Sequence, residues 1–380
     1  MKLTRAALAL ALSSSLVLSA CSGTDDGDEA TTPATSGDSS SATDGDATSA
    51  TGDATSATGD AASTSGDAAT ATGDAGTSTD DGKVTAPADG VAVISVEEAE
   101  EIAARLIKQA ADSQNADIDE AMEINEETFA GSELRAANAA TELREVGLRP
   151  VIDYHPWGTN VLAISRDDGE SPAYMVVQSV PESGLPELHL IVSEDDGENW
   201  LIGWSAPMLA GTEVGTFDPR SEGSTVLRDS AGELSLSPSQ AVDRLFEILD
   251  YPFAEERPDF RTNDYGPQVR KATEAQASSV SEQATLSSEH DLRSGTLRTI
   301  ELADGSAITF PVLERTSTFD VKDGMILKPP TAFAHLAGDD TLTNSAELRT
   351  LVFLAVHIRT DGGAPEVIAA REQVFEASGS

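Results

Sequence analysis

Residues 22 to 90 contain no Leu, Ile, Phe, Tyr or Trp, and Gly, Asp, Ala, Thr and Ser make up nearly all of them. A stretch with nothing apolar to bury cannot offset the entropy of ordering, so it is expected to stay disordered. A seven-residue period runs through it, as GDATSAT at Gly45 and Gly52, GDAASTS at Gly59, GDAATAT at Gly66 and GDAGTST at Gly73. The would-be seam positions of a coiled coil are Ala or Thr at best, so no seam forms. The segment reads as a solvated spacer, spanning roughly 45–50 Å as a random coil. Its Thr and Ser content also matches glycosylated stalks. Folding is thereby confined to residues 91 to 380, a length of about 290 residues that suffices for two domains.

The residues ahead of the spacer carry a different signal. Lys2 and Arg5 precede an apolar run from Ala6 to Ala20 that is interrupted by Ser13, Ser14, Ser15 and Ser19. A positive start and a short apolar run make a secretory signal peptide over residues 1–20. The run is too broken to span a bilayer, which takes about 20 predominantly apolar residues. Leu18-Ser19-Ala20-Cys21 resembles the lipobox of bacterial lipoproteins. That resemblance implies lipid transfer to the Cys21 thiol and cleavage just before it. An ordinary signal peptide with a chance cysteine is the plainer alternative. Two acyl chains hold a protein on a membrane where one binds only marginally. Cys21 is the single cysteine of the chain, so the folded part has no internal disulfide and depends on its own core.

The formal net charge is −42, and only fourteen of the 66 acidic residues fall in the spacer. The folded part therefore carries most of the excess. Nucleic acids, themselves polyanions, are excluded as partners, and flat docking on an anionic membrane face is disfavoured.

Within residues 91–380 the same order of parts occurs twice. Ser95-Val96-Glu97-Glu98 reads as a capping box, followed by Ala99, Ile102, Ala103, Leu106, Ile107 and Ala110 at helical spacing. A second helix is expected over about 126–146, ending at Gly147 and Pro150. The period then changes to two. Two hairpins are expected around Asp167-Asp168-Gly169 and Asp195-Asp196-Gly197. Trp200, Ile202 and Trp204 should share one face of the last strand. The second half opens on Ser237-Pro238-Ser239-Gln240, a capping box with proline at its first helical position. A polar helix over about 267–284 follows, then strands at GTLRTIEL, SAITFPVLERTSTFDV, MILKPPTAFAHLA, AELRTLVFLAVHIRT and PEVIAAREQVFEA. The run Leu351 to Ile358 is apolar on both faces, as in a central strand.

These patterns give an α+β fold: two consecutive helices-then-antiparallel-sheet domains after the disordered tether of residues 21–90. The first domain is assigned to 91–212, a connector to 213–234 and the second domain to 235–380. The order of parts is similar to the cone-shaped, nuclear-transport-factor-like fold. The lipobox, the acidic tether, NWLIGWSAPML and SPSQAVDRLFEILDYP together resemble a family of actinobacterial lipoproteins that carry a domain of unknown function. The resemblance implies a surface lipoprotein and brings no catalytic residue with it.

The search for chemistry returns little. Among the five histidines, His155, His189, His290, His335 and His357, no two lie three or four residues apart, so no helical metal pair is present. No metal site, cofactor site or nucleophile motif is read. His189, alternating with Leu188 and Leu190, is expected on the opposite face beside Ile191, as a core or surface histidine. The Asp-Asp-Gly stretches lack the alternating acids of a calcium loop and read as turns. Ser193 to Trp200 resembles the Asp-box hairpin, in which the aspartate caps the turn and the tryptophan packs beneath it. Trp157, Trp200 and Trp204 cluster in sequence near Asp153, Tyr154 and His155. They read as core residues, or else His155, Trp157 and Trp204 line a ligand pocket.

Two functions stay open from the sequence. One is a non-enzymatic protein, lipid-anchored at Cys21 on the extracellular face of the cell membrane, with a binding or envelope-scaffold role. The other is a small-molecule binder or acid–base enzyme using a pocket in the first half. A solute receptor fits less well, for want of alternating βαβ units. The expected partners are the membrane, an envelope protein or a small ligand, with no nucleic acid.

Overall fold

A computed structural model describes residues 91–147, 156–169, 172–181, 185–195, 197–227 and 232–380. Cys21, the signal peptide, the tether and His155 lie outside them. The described residues form an α+β fold in which helices cover antiparallel sheets. No helix among them is long and apolar enough to cross a membrane.

Ser95 caps α1 (Val96–Asn115) by accepting the Glu98 N–H at 3.2 Å. Helix α1 buries Ala99, Ala103, Leu106 and Ile107 along one face. The single second helix expected over 126–146 is two helices, α2 (Ile118–Thr128) and α3 (Gly131–Glu145). The break falls where the chain bonds to the first sheet: the Ala130 N–H donates to the Ile202 carbonyl at 2.9 Å. Gly131 restarts the helix at φ +56°, a left-handed conformation that glycine adopts without a Cβ penalty.

The first sheet is a meander of β1 (Pro156–Ile164), β2 (Ala173–Pro181), β3 (Glu187–Ser193) and β4 (Leu201–Pro207). One face, with Val161, Met175, Val177, Ile191 and Ile202, packs on α1 and Phe129. The other presents Tyr174, Val176, Leu188, Leu190 and Trp204. Trp200, Ile202 and Trp204 do not share a face. Ile191 pairs with Ile202 but Leu190 pairs with Trp204, which makes Gly203 the extra residue of a bulge. Trp200 and Ile202 therefore face the helices, and Trp204 faces the other way. A Cβ at Gly203 would sit 3.0 Å from Val192 Cγ1, so the bulge is tight around a residue without one.

In the second half, α4 (Pro238–Leu249) has the expected reciprocal cap: Gln240 N–H to Ser237 Oγ at 3.2 Å, and Ser237 N–H to Gln240 Oε1 at 3.0 Å. Then come α5 (Tyr265–Val280), β5 (Ala284–Leu292), β6 (Thr299–Glu301), β7 (Ala307–Thr309), β8 (Val312–Val321), α6 (Thr331–Ala337), β9 (Ser345–Ile358) and β10 (Glu366–Gly379). Strand β9 is central: it pairs with β8 and β7 along one edge and with β10 along the other. The expected strand over SAITFPVLERTSTFDV is split at Phe310-Pro311, where proline has no N–H for the ladder. The expected strand at MILKPPTAFAHLA holds α6, entered through Pro330 and closed by Gly338.

The two sheets pack face to face. Tyr174, Leu190 and Trp204 share one apolar cluster with Phe310, Leu351, Phe353 and Ile368. The outer face of the second sheet packs under α4 and α5 through Leu245, Leu249, Val352 and Leu354. The layers run helix, sheet, sheet, helix; the central strands are buried on both faces, while β5 leaves one face exposed. The 213–234 stretch pairs with both sheets, through the bridges Ser165–Ser224 and Val226–Ile300.

Candidate functional site

Helix α3 is held on the second sheet by charge. Arg135 pairs with Glu376 at 2.7 Å, Glu376 with Arg349 at 3.1 Å, Arg349 with Glu314, and Glu314 with Arg293 at 2.6 Å. The helix also packs on β4. Beneath it, between α1 and the sheets, lies a partly open cavity of about 90 Å³. At roughly 30 Å³ per water, that is room for about three waters or a ligand of a few non-hydrogen atoms. Ala136, Ala137 and Ala140 of α3 line it, and their small side chains leave the space.

Its polar wall comes from three directions. His189 on β3 alternates with the inter-sheet Leu188 and Leu190, so it faces the helices, where it is 4 % exposed. Its Nε2 lies 2.8 Å from Ser179 Oγ and its Nδ1 lies 3.0 Å from Ser205 Oγ. Ser205 stands directly opposite His189 only because of the bulge at Gly203. Were Gly203 to take a rung of the ladder, the alternation would shift by one and turn Ser205 between the sheets. Glu133 enters from the first turn of α3, is 2 % exposed and bonds Arg371 Nη2 of β10 at 2.5 Å. Arg371 stacks over Phe353, 4.3 Å from the ring centre, and its Nε is buried with no acceptor.

The electrostatics follow from burial. Burial pushes the Glu133 carboxyl above the usual range, and Arg371 and the Ser205 backbone N–H oppose that shift. Burial lowers His189; Arg371 lowers it further and Glu187 acts against both. The histidine is therefore kept neutral, with one ring nitrogen free to accept a proton.

A second buried polar group lies under α5. Glu372 accepts both Arg315 guanidinium nitrogens, at 3.0 and 2.8 Å, and the Tyr265 hydroxyl at 2.9 Å. Beside it, Asp250 Oδ1 takes His290 Nδ1 at 2.8 Å and the His290 backbone N–H at 2.9 Å. The Arg–carboxylate pair is bidentate and cross-links β8 to β10.

Of the residues picked from sequence, Trp204 stands elsewhere. Trp204 is 1 % exposed in the inter-sheet core, edge-on to Phe310 at 5.1 Å and 73°, and does not line the cavity. Trp157 lies in β1, and His155 is outside the described residues. Ser193 to Trp200 is a capped hairpin: Asp195 Oδ1 accepts Ser193 Oγ at 2.8 Å and the Asn199 N–H at 2.9 Å, and Trp200 Nε1 donates to the Gly197 carbonyl at 2.9 Å. Among the described residues no group of three or more His, Cys, Asp or Glu side chains is arranged to hold a metal.

Glu133, Ser205 and Arg371 were not readable as a site. Glu133 left one trace: it shares a helical face with Ala136, Ala137 and Ala140, a stripe too small to fill the space beneath it. No family model matches the chain, and neither a curated protein nor a solved structure matches it.

Proposed function

We propose that this is a lipid-anchored protein of the extracellular face of the cell membrane, tethered through Cys21, that binds a small polar molecule in the cavity under α3. The observation that supports the reading best is at Arg371, a residue that lines the cavity and whose Nε is a buried donor without an acceptor. A buried donor left unpaired costs about 1–3 kcal/mol. A carboxylate or carbonyl oxygen would pair with it, while Glu133, His189 and Ser205 supply further polar contacts. The lipobox and the acidic spacer account for the placement: the anchor retains the protein and the spacer holds the folded part clear of the membrane.

The test is a thermal-shift screen of the detergent-solubilised full chain against short carboxylates, amides and amino acids. A ligand at a hundred times its dissociation constant raises stability by about 2.7 kcal/mol. Arg371→Lys, which keeps the charge but loses the Nε donor, is expected to weaken the hit. A flat screen would put the envelope-scaffold role first. Cys21→Ser should release the protein into the medium, and retention on the membrane would sink the anchor.

A further inference from the structure

We propose that Ser205 is a nucleophile and that the cavity hydrolyses small carboxylic esters through an acyl-serine. The inference rests on the reading of the cavity as the ligand site, and it adds a reaction. Three features assemble it. The Gly203 bulge spends one residue of β4 to bring Ser205 across from His189; bulges re-aim side chains in this way beside active sites. The hydrogen-bond chain then has the reach of a nucleophile, a base and an orienting group: Ser205 Oγ to His189 Nδ1 at 3.0 Å, and His189 Nε2 to Ser179 Oγ at 2.8 Å. With the ring proton on Nε2 and directed at Ser179, Nδ1 is left as the acceptor for the Ser205 hydroxyl. Ser179 is wholly buried, so the hydroxyl that holds Nε2 is one that water does not reach. Finally, Arg371 Nε is a buried donor in want of an acceptor, held by the Glu133 pair and by stacking on Phe353. A developing oxyanion is such an acceptor.

The step balances with the ester and water alone. Ser205 Oγ attacks the carbonyl carbon while its proton passes to His189 Nδ1. The carbonyl π electrons move onto the oxygen, facing Arg371 Nε. The bond to the leaving alkoxide breaks as the electrons return, and His189 gives that oxygen its proton. Water repeats the sequence on the acyl-serine, with His189 first taking a proton from water and then returning it to Ser205, and a carboxylic acid leaves. Ser179 is a positioning residue. A cavity of about 90 Å³ admits an acetyl-sized acyl group and rejects long chains.

The experiment treats the detergent-solubilised full chain with p-nitrophenyl acetate and reads adducts by intact mass and peptide mapping. One acetyl group on the peptide carrying Ser205 is expected. His189→Gln should slow its appearance by about 10²-fold or more, the usual range for loss of a general base. Ser179→Ala should move the pH profile of acylation, which a merely structural role would not do. Ser205→Cys should transfer the acetyl group to the new thiol. No adduct on folded wild-type protein, or an adduct at another residue that forms equally in Ser205→Ala, overturns the proposal. The mapping needs no variant to fold. A ligand-induced thermal shift without acylation would sink the esterase and leave the binding site standing; absence of both would remove both.

Discussion

His189 and His290 are both buried, but they are held differently. Hydroxyls flank the first at both ring nitrogens; the second bonds Asp250 through Nδ1, and its Nε2 is buried without a partner. Burial lowers each below the ordinary 6.5, and for His290 the Asp250 hydrogen bond opposes the shift. An unfolded histidine takes up its proton near 6.5 while these two, folded, do not, so the unfolded state binds more protons and stability falls as pH drops below 6.5. Glu133 has the opposite sign: its raised carboxyl stabilises the native state in acid, and that contribution is lost as pH rises from 4.5 through its folded value. Comparison with a variant separates the two. The urea midpoint of wild type should fall between about pH 7.5 and about pH 5.5, and His189→Gln with His290→Gln should flatten that slope. An unchanged slope in the double variant would place the titration elsewhere.

At the level of elements, β4 carries one extra residue. Deleting Gly203 would remove the bulge and keep the pairing on either side of it, leaving Trp204 between the sheets and Ser205 across from His189. The near-ultraviolet circular dichroism of the buried tryptophans is expected to persist in that variant; its loss would mean that the strand had slipped by one residue. The bulge was hidden in the sequence because Trp200, Ile202 and Trp204 alternate as large apolar residues, the pattern of a single face. The caps at Ser95 and Ser237 and the central strand β9 were legible, since each is encoded by neighbouring residues. Strand β5 was not: its ATLSSEHDL is polar, because one face is exposed and the other buries Ser288 and His290 in hydrogen bonds. Helix α6 was read as strand from its apolar content, although Pro329 and Pro330 mark a helix entrance. Arg371 was out of reach, since its partner Glu133 lies 238 positions away.

At the scale of the molecule, the two halves share their central core. Trp204 from the first sheet meets Phe310 from the second, so removing it should weaken both together. Trp204→Ala is expected to cost about 3–5 kcal/mol. Wild type and variant should each show one transition by near- and far-ultraviolet signals alike. Two separated transitions, with only one moved, would make the halves independent. The Glu133–Arg371 pair also sets a schedule. At about 5–20 residues per second, Arg371 is added to the chain roughly 12–48 s after Glu133. Through that interval α3 has a carboxylate destined for the interior and no cation to meet it. The first sheet and its helices can gather early, but the closing of the cavity waits for one of the last strands to be made.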